Sequence, residues 1–118
     1  VVIGESRWGK TQWARSLIEA HIYMCGLFSA SELCKHARLV IVDDVDIKYF
    51  PYWRGFLGCQ RDIIVTDKYK KKHKIRNGLP CIWLCNEDLD PRRALPGAAE
   101  RRWLNLNCDF VLLNRPLF

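Results

Sequence analysis

The 118 residues contain no CxxC pair, only three histidines, and no apolar run approaching the roughly 18 residues of a membrane span. Each absence removes a class of function. Cys25, Cys34, Cys59, Cys81, Cys85 and Cys108 are scattered singly, Cys81 and Cys85 share one apolar run, and His21, His36 and His73 bring no companion at ligand spacing. A zinc site or a disulfide framework is therefore not expected; buried, reduced thiols in a reducing compartment such as the cytosol or nucleus are. No succession of charged, apolar and small residues marks a signal peptide, so a soluble domain is expected. Internal repeats and low-complexity linkers are also lacking, which excludes a solenoid or a tether. With 49% apolar and 12% aromatic residues in 13.9 kDa, residues 1–118 are expected to form a single domain. The chain starts at Val1, and only Val1, Val2 and Ile3 precede a Gly-rich segment, so a fragment is expected.

The net charge of +6 arises from 19 basic and 13 acidic residues. Residues 68–76 read KYKKKHKIR, and six of the nine are Lys or Arg, enough to account for the whole excess. Such a run either meets a polyanion or is a solvated basic loop.

Periodicity predicts a buried strand over Val1–Ile3, then a helix from about Lys10 to Ala20 with Trp13, Ala14, Leu17 and Ile18 on its apolar face. Ser29 and Glu32 have capping-box spacing for a second helix over 29–36. Leu39–Val42 is a continuous apolar run of the kind buried on both faces of a parallel sheet. An aromatic helix follows Pro51, directing Phe50, Trp53, Phe56 and Leu57 inward. Ile63–Thr66 and Lys74–Ile75 flank the basic run as a β-hairpin. Cys81–Cys85 is a third buried strand ending at Asn86; Pro91–Gly97 is a loop, Ala98–Leu104 a short helix and Phe110–Leu113 a last strand. Strands alternating with helices indicate an α/β, three-layer domain with a mainly parallel sheet.

Residues 4–11 read GESRWGKT, between an apolar strand and an amphipathic helix. Binding a triphosphate requires converging backbone N–H groups and a cation, and this loop offers both. Gly4 and Gly9 permit the tight turn, the backbone of Glu5, Ser6, Arg7 and Trp8 cradles phosphate, Lys10 reaches the β- and γ-phosphates, and the Thr11 hydroxyl can ligate Mg²⁺. Thirty-two residues after Thr11, the run LVIVDDV ends a strand with two acids. Asp43 is expected to hold the metal and Asp44 to orient or activate the attacking water, which makes ATP hydrolysis the expected chemistry. Asn86 ends another strand, where the crevice of a parallel sheet lies. Its amide either meets the γ-phosphate or the water, or merely forms a turn.

The order of these motifs resembles the superfamily-three helicase domain of the replication initiators of small circular single-stranded DNA viruses, the geminivirus and gemycircularvirus types above all. GESRWGKTQWARSL is similar to their phosphate loop and its helix, IVDDVD to their acidic motif, GCQRD to the segment that follows, and KYKKKHKIRNGLPCIWLCN to their hairpin and polar motif. The likeness runs from Val1 to about Asn86, and more loosely to the C-terminus. It implies a P-loop NTPase fold with a basic hairpin, a homo-oligomeric ring in the host nucleus, Mg-ATP hydrolysis and movement along single-stranded DNA. By position it implies that the hairpin residues Lys70, Lys71, Lys72, Lys74 and Arg76 meet DNA, Lys71 and Arg76 foremost. A basic residue of the neighbouring protomer completes the active site in that family, for which Arg101 and Arg102 are the candidates and Arg92 and Arg93 the alternatives. Three departures stand out: Trp8 where Thr or Leu is usual, a denser run at Lys70–Lys72, and Glu87-Asp88 in place of a Gly- and Pro-rich loop. The upstream nicking domain of such proteins has no counterpart in these residues, and Tyr23, Tyr49, Tyr52 and Tyr69 read as packing or stacking residues. A small P-loop kinase with a lid arginine, or an inactive nucleic-acid-binding remnant of an integrated gene, are the competing readings.

Overall fold

A computed structural model describes residues 1–5, 7–26, 36–66, 72–95 and 97–116. The elements are β1 (Val2–Ile3), α1 (Lys10–Leu17), β2 (His21–Cys25), β3 (Leu39–Asp43), α2 (Trp53–Leu57), β4 (Asp62–Thr66), β5 (Lys72–Arg76), β6 (Cys81–Cys85), α3 (Pro91–Ala94), α4 (Ala98–Asn107) and β7 (Val111–Leu112). Five strands form one sheet in the order β2-β3-β6-β1-β7, with every neighbouring pair parallel. The fold is α/β, as the alternation of strands and helices predicts.

Apolar side chains line both faces of the sheet, because alternate residues of a strand point to opposite sides. On one face Val2, Leu39, Ile41 and Leu84 pack with Ala14 of α1. On the other, Ile3, Ile22, Met24, Val40, Val42 and Trp83 pack with Phe56 and Leu57 of α2 and Leu104 of α4. Two cores on one sheet make three layers. Phe50 stands edge-on to both Phe56 and Trp83, at centroid distances of 5.5 and 5.4 Å, and Trp53 meets Trp103 of α4 at 5.3 Å. These edge-to-face pairs fix α2 and α4 against the sheet beyond the effect of area alone.

The structure departs from the sequence reading at three elements. The first helix stops at Leu17 rather than Ala20, because Ile18 is extended, and the chain enters β2, a strand the helical reading of this stretch obscured. Leu17 is 49% exposed, so Ala14, not Leu17, anchors α1. Pro91–Ala94, expected as loop, is one turn of helix; Asp90 accepts from Arg92 N at 3.0 Å and Pro91 occupies the first helical position, where no N–H is needed. The helix expected over 29–36 lies almost wholly outside the described residues.

Between β3 and β6 the chain leaves the sheet and builds the hairpin. Its strands β4 and β5 pair antiparallel, Ile63 opposite Ile75 and Val65 opposite His73, while Ile64 stands opposite Lys74, Thr66 opposite Lys72 and Asp62 opposite Arg76. Ile63 and Val65 are buried and Ile64 is exposed.

Candidate nucleotide site

The parallel sheet brings the carboxyl ends of β1, β3 and β6 to one edge, where a crevice forms. Into it runs the loop from β1 to α1. A Cβ on Gly4 would stand 3.0 Å from Leu113 Cδ1 and 3.2 Å from Trp8 Cε3, so a side chain there would require Leu113 and Trp8 to give way by a few tenths of an ångström. Gly9 has φ 83°, a left-handed conformation that turns the chain into α1 and leaves the first N–H groups of that helix facing the crevice.

Lys10 opens α1 and is buried, 8% exposed. Its Nζ donates to Gly4 O at 2.7 Å, to Glu5 O at 2.9 Å and to Asn86 Oδ1 at 3.4 Å. All three acceptors are neutral. A buried cation held, among the described residues, by carbonyl dipoles suits an anionic ligand, which would complete its neutralisation. One helical position on, Thr11 Oγ1 donates to Asp43 Oδ2 at 2.5 Å. With its proton spent on Asp43, the hydroxyl keeps its lone pairs for a cation. Among the described residues no three of His, Cys, Asp and Glu gather as a metal cage. Thr11 and Asp43 thus fit magnesium, which takes few protein ligands and completes its shell with water and phosphate oxygens.

Asp44 follows β3 with φ 56°, its N–H bonded to Leu84 O at 3.0 Å, so strand pairing pins a strained residue at the crevice. Arg7, Trp8, Gly9, Lys10, Thr11, Asp43, Asp44 and Asn86 line one cleft of about 560 Å³. A second cleft of about 500 Å³ adjoins it across Trp8 and Asn86, with Gly4, Glu5, Glu87, Asp88 and Arg93 on its walls.

Sequence similarity to proteins of known origin follows the same lines. The chain is 41% identical over 107 residues to the replication-associated protein of Tobacco yellow dwarf virus, covering 91% of the chain and 31% of that protein. It is 45% identical over 89 residues to that of Bean yellow dwarf virus (75% and 26%), and 37% identical over 115 residues to that of Maize streak virus (96% and 32%). The chain is related to the geminivirus replication-associated proteins. It spans about a third or less of the length of these relatives. No protein-family model matches it.

In this relative of the replication-associated proteins, the remaining expected residues divide. Ser6, Lys70 and Lys71 lie outside the described residues. Lys72 is exposed on β5, and Lys74 and Arg76 follow it at alternate positions of the same strand. Arg101 and Arg102 are exposed on α4 and line neither cleft; Arg101 Nη1 donates to Leu95 O at 3.3 Å. Arg92 is paired with Asp90 at 2.9 Å and stacked over Phe110 at 4.1 Å, whereas Arg93 reaches the second cleft. Burial pushes the Cys81 and Cys85 thiols up to about 12, but Cys25 and Cys59 are exposed, unlike the uniform burial expected of the cysteines.

Three residues at the site escaped the sequence reading: Gln12, Cys25 and Tyr23. The first two line the cleft. Tyr23 donates from its hydroxyl to Asp43 Oδ2 at 2.7 Å, and burial followed by that bond raises its pKa above the ordinary phenol value. The signal that could have found it was the alternation His21, Ile22, Tyr23, Met24 after a helix whose apolar face ends early.

Proposed function

We propose that this chain is the ATP-hydrolysing motor of a viral rolling-circle replication protein, a DNA helicase or translocase that binds single-stranded DNA and works as a homo-oligomeric ring in the host nucleus. The observation that carries the reading is the buried Lys10 ammonium, held by neutral oxygens at the head of a cleft that also holds the Thr11–Asp43 pair.

Lys10 and the N–H groups at the start of α1 bind the β- and γ-phosphates and stabilise the charge that spreads over the γ-phosphoryl oxygens during transfer. Thr11 and Asp43 would hold magnesium, which would supply positive charge against the developing negative charge of the phosphates. Asp44 orients the attacking water and accepts its proton as the bond between the β–γ bridging oxygen and the γ-phosphorus breaks, giving ADP and phosphate. Asn86, in contact with Lys10, marks the γ-phosphate end of the cleft. The hairpin cations Lys70, Lys71, Lys72, Lys74 and Arg76 are assigned to the DNA backbone, and the separate two-stranded sheet of this hairpin supports a role apart from the nucleotide.

Phosphate release from Mg-ATP, measured with and without single-stranded DNA, tests the proposal. Turnover stimulated by the DNA is expected. Phosphate release indifferent to DNA would separate hydrolysis from DNA and overturn the motor reading, and so would no release under ring-forming concentrations; ADP formed without free phosphate would point instead to phosphoryl transfer onto another acceptor.

A further inference from the structure

Beside the residues that would touch nucleotide and metal stands a tyrosine that touches neither. Tyr23 lies on β2, and the register sets it against Ile41, two residues before Asp43, while Cys25 is the residue opposite Asp43. Reaching Asp43 from there requires a long, rigid side chain with a donor at its tip. The phenol meets that need, and its hydroxyl lies 2.7 Å from Oδ2. The ring itself is clamped: the Arg15 guanidinium of α1 lies 4.4 Å from its centroid, and Arg15 Nε is bonded to His21 Nε2 at 3.2 Å.

The same carboxylate oxygen also accepts from Thr11 at 2.5 Å. Each carboxylate oxygen offers about two lone pairs, so Oδ2 is filled by these two donors. Among the described residues none donates to Oδ1. A carboxylate with one donor can swing about its Cβ–Cγ bond; two donors converging on one oxygen from different elements fix that torsion.

Building on the nucleotide reading above, we propose that Tyr23 is a positioning residue for the magnesium site, holding Asp43 by Oδ2 so that Oδ1 faces the ion and its water shell. The hydroxyl contributes nothing to phosphate binding as such. Its effect is confined to metal-dependent affinity, which separates it from a general packing role.

The experiment titrates the chain with a fluorescent ATP analogue, first in EDTA and then across a magnesium series. Tyr23→Phe keeps the ring and its stacking on Arg15 and removes only the hydroxyl. It should bind the analogue in EDTA as the parent does, but need about tenfold more magnesium to reach half of the metal-dependent gain, since a hydrogen bond to a charged group is worth about that factor or more. Arg15→Ala, which frees the ring but keeps the hydroxyl, should shift the magnesium midpoint in the same direction by about threefold. A Tyr23→Phe midpoint within twofold of the parent overturns the proposal. So does loss of binding in EDTA by Tyr23→Phe together with an unmoved midpoint in Arg15→Ala, because Tyr23 would then be structural. Failure of the parent itself to bind the analogue, with Lys10→Ala no different, removes the nucleotide reading and this one with it.

Discussion

Replacing Lys10 with methionine keeps the length and apolar stem of the side chain and deletes the ammonium. Two short hydrogen bonds disappear, to Gly4 O at 2.7 Å and Glu5 O at 2.9 Å, with a longer one to Asn86. A charged donor contributes about 1.5–3 kcal/mol per bond, or about 3–6 kcal/mol for the two. That figure is already net of taking the ammonium out of water, so the ligand-free fold should lose up to about that amount, less where the loop relaxes around methionine. For a chain of 118 residues, 1 kcal/mol moves the melting midpoint by about 4 °C. Mg-ATP present at a hundredfold excess over its Kd stabilises the parent by about 2.7 kcal/mol, a rise of about 11 °C. Thermal melts of both proteins, with and without Mg-ATP, measure all four quantities. The variant should melt below the parent when free and gain less than about 2 °C from nucleotide, roughly the shift left by a largely vacant site. A nucleotide-induced rise in Lys10→Met equal to the parent's would refute the role given to the buried cation.

Lys74→Ala should lower the slope of log affinity against log salt for single-stranded DNA by about 0.7, the share of one neutralised phosphate, while nucleotide-induced melting shifts persist; an unchanged slope would make the basic strand a solvated edge. Arg101→Ala/Arg102→Ala protein and Lys10→Ala protein should each be nearly inactive in phosphate release, yet recover activity when mixed at ring-forming concentrations, because each keeps what the other lacks. If the arginine variant turns over ATP normally alone, the missing cation comes from elsewhere, with Arg93 at the second cleft the next to test.

That the Gly-rich loop, the two acids and Asn86 meet at one cleft was legible in the sequence because of residue type and place: glycines where the backbone crowds or turns left-handed, and polar residues where buried apolar strands end. The sheet around them was legible for a related reason, since Leu39–Val42 and Cys81–Cys85 are apolar throughout and so must be covered on both faces. β2 was not. His21–Cys25 alternates half-buried and buried residues at the edge of the described sheet, and the weaker pattern merges with the helical stretch before it. Missing β2 meant missing Tyr23, since nothing in the order of residues tells which of four tyrosines meets a carboxylate twenty positions away. The turn at Pro91–Ala94 carries a cap and a proline at its start, but four residues are too few to display a helical period. The arginines remain divided for a physical reason as well: a residue that acts on a neighbouring copy leaves no trace in the packing of its own chain.

Residues 44–80 leave the sheet after β3 and return at β6, the strand beside it. Asp43 and Asn86 therefore belong to the ends of adjacent strands, yet the whole basic hairpin is spelled out between them. Topologically that excursion is a parenthesis, opened and closed without altering the order of the sheet; Val40 N bonds to Pro80 O at 3.0 Å where it closes. Within this interval Asp44 lines the crevice and Phe50, Phe56, Ile63 and Val65 belong to the core, so only exposed hairpin positions such as Ile64 and Lys72 are free to change without disturbing either. On the function proposed above, variants that exchange only those exposed hairpin positions would couple one nucleotide site to different DNA contacts, so grip and turnover could be altered one at a time.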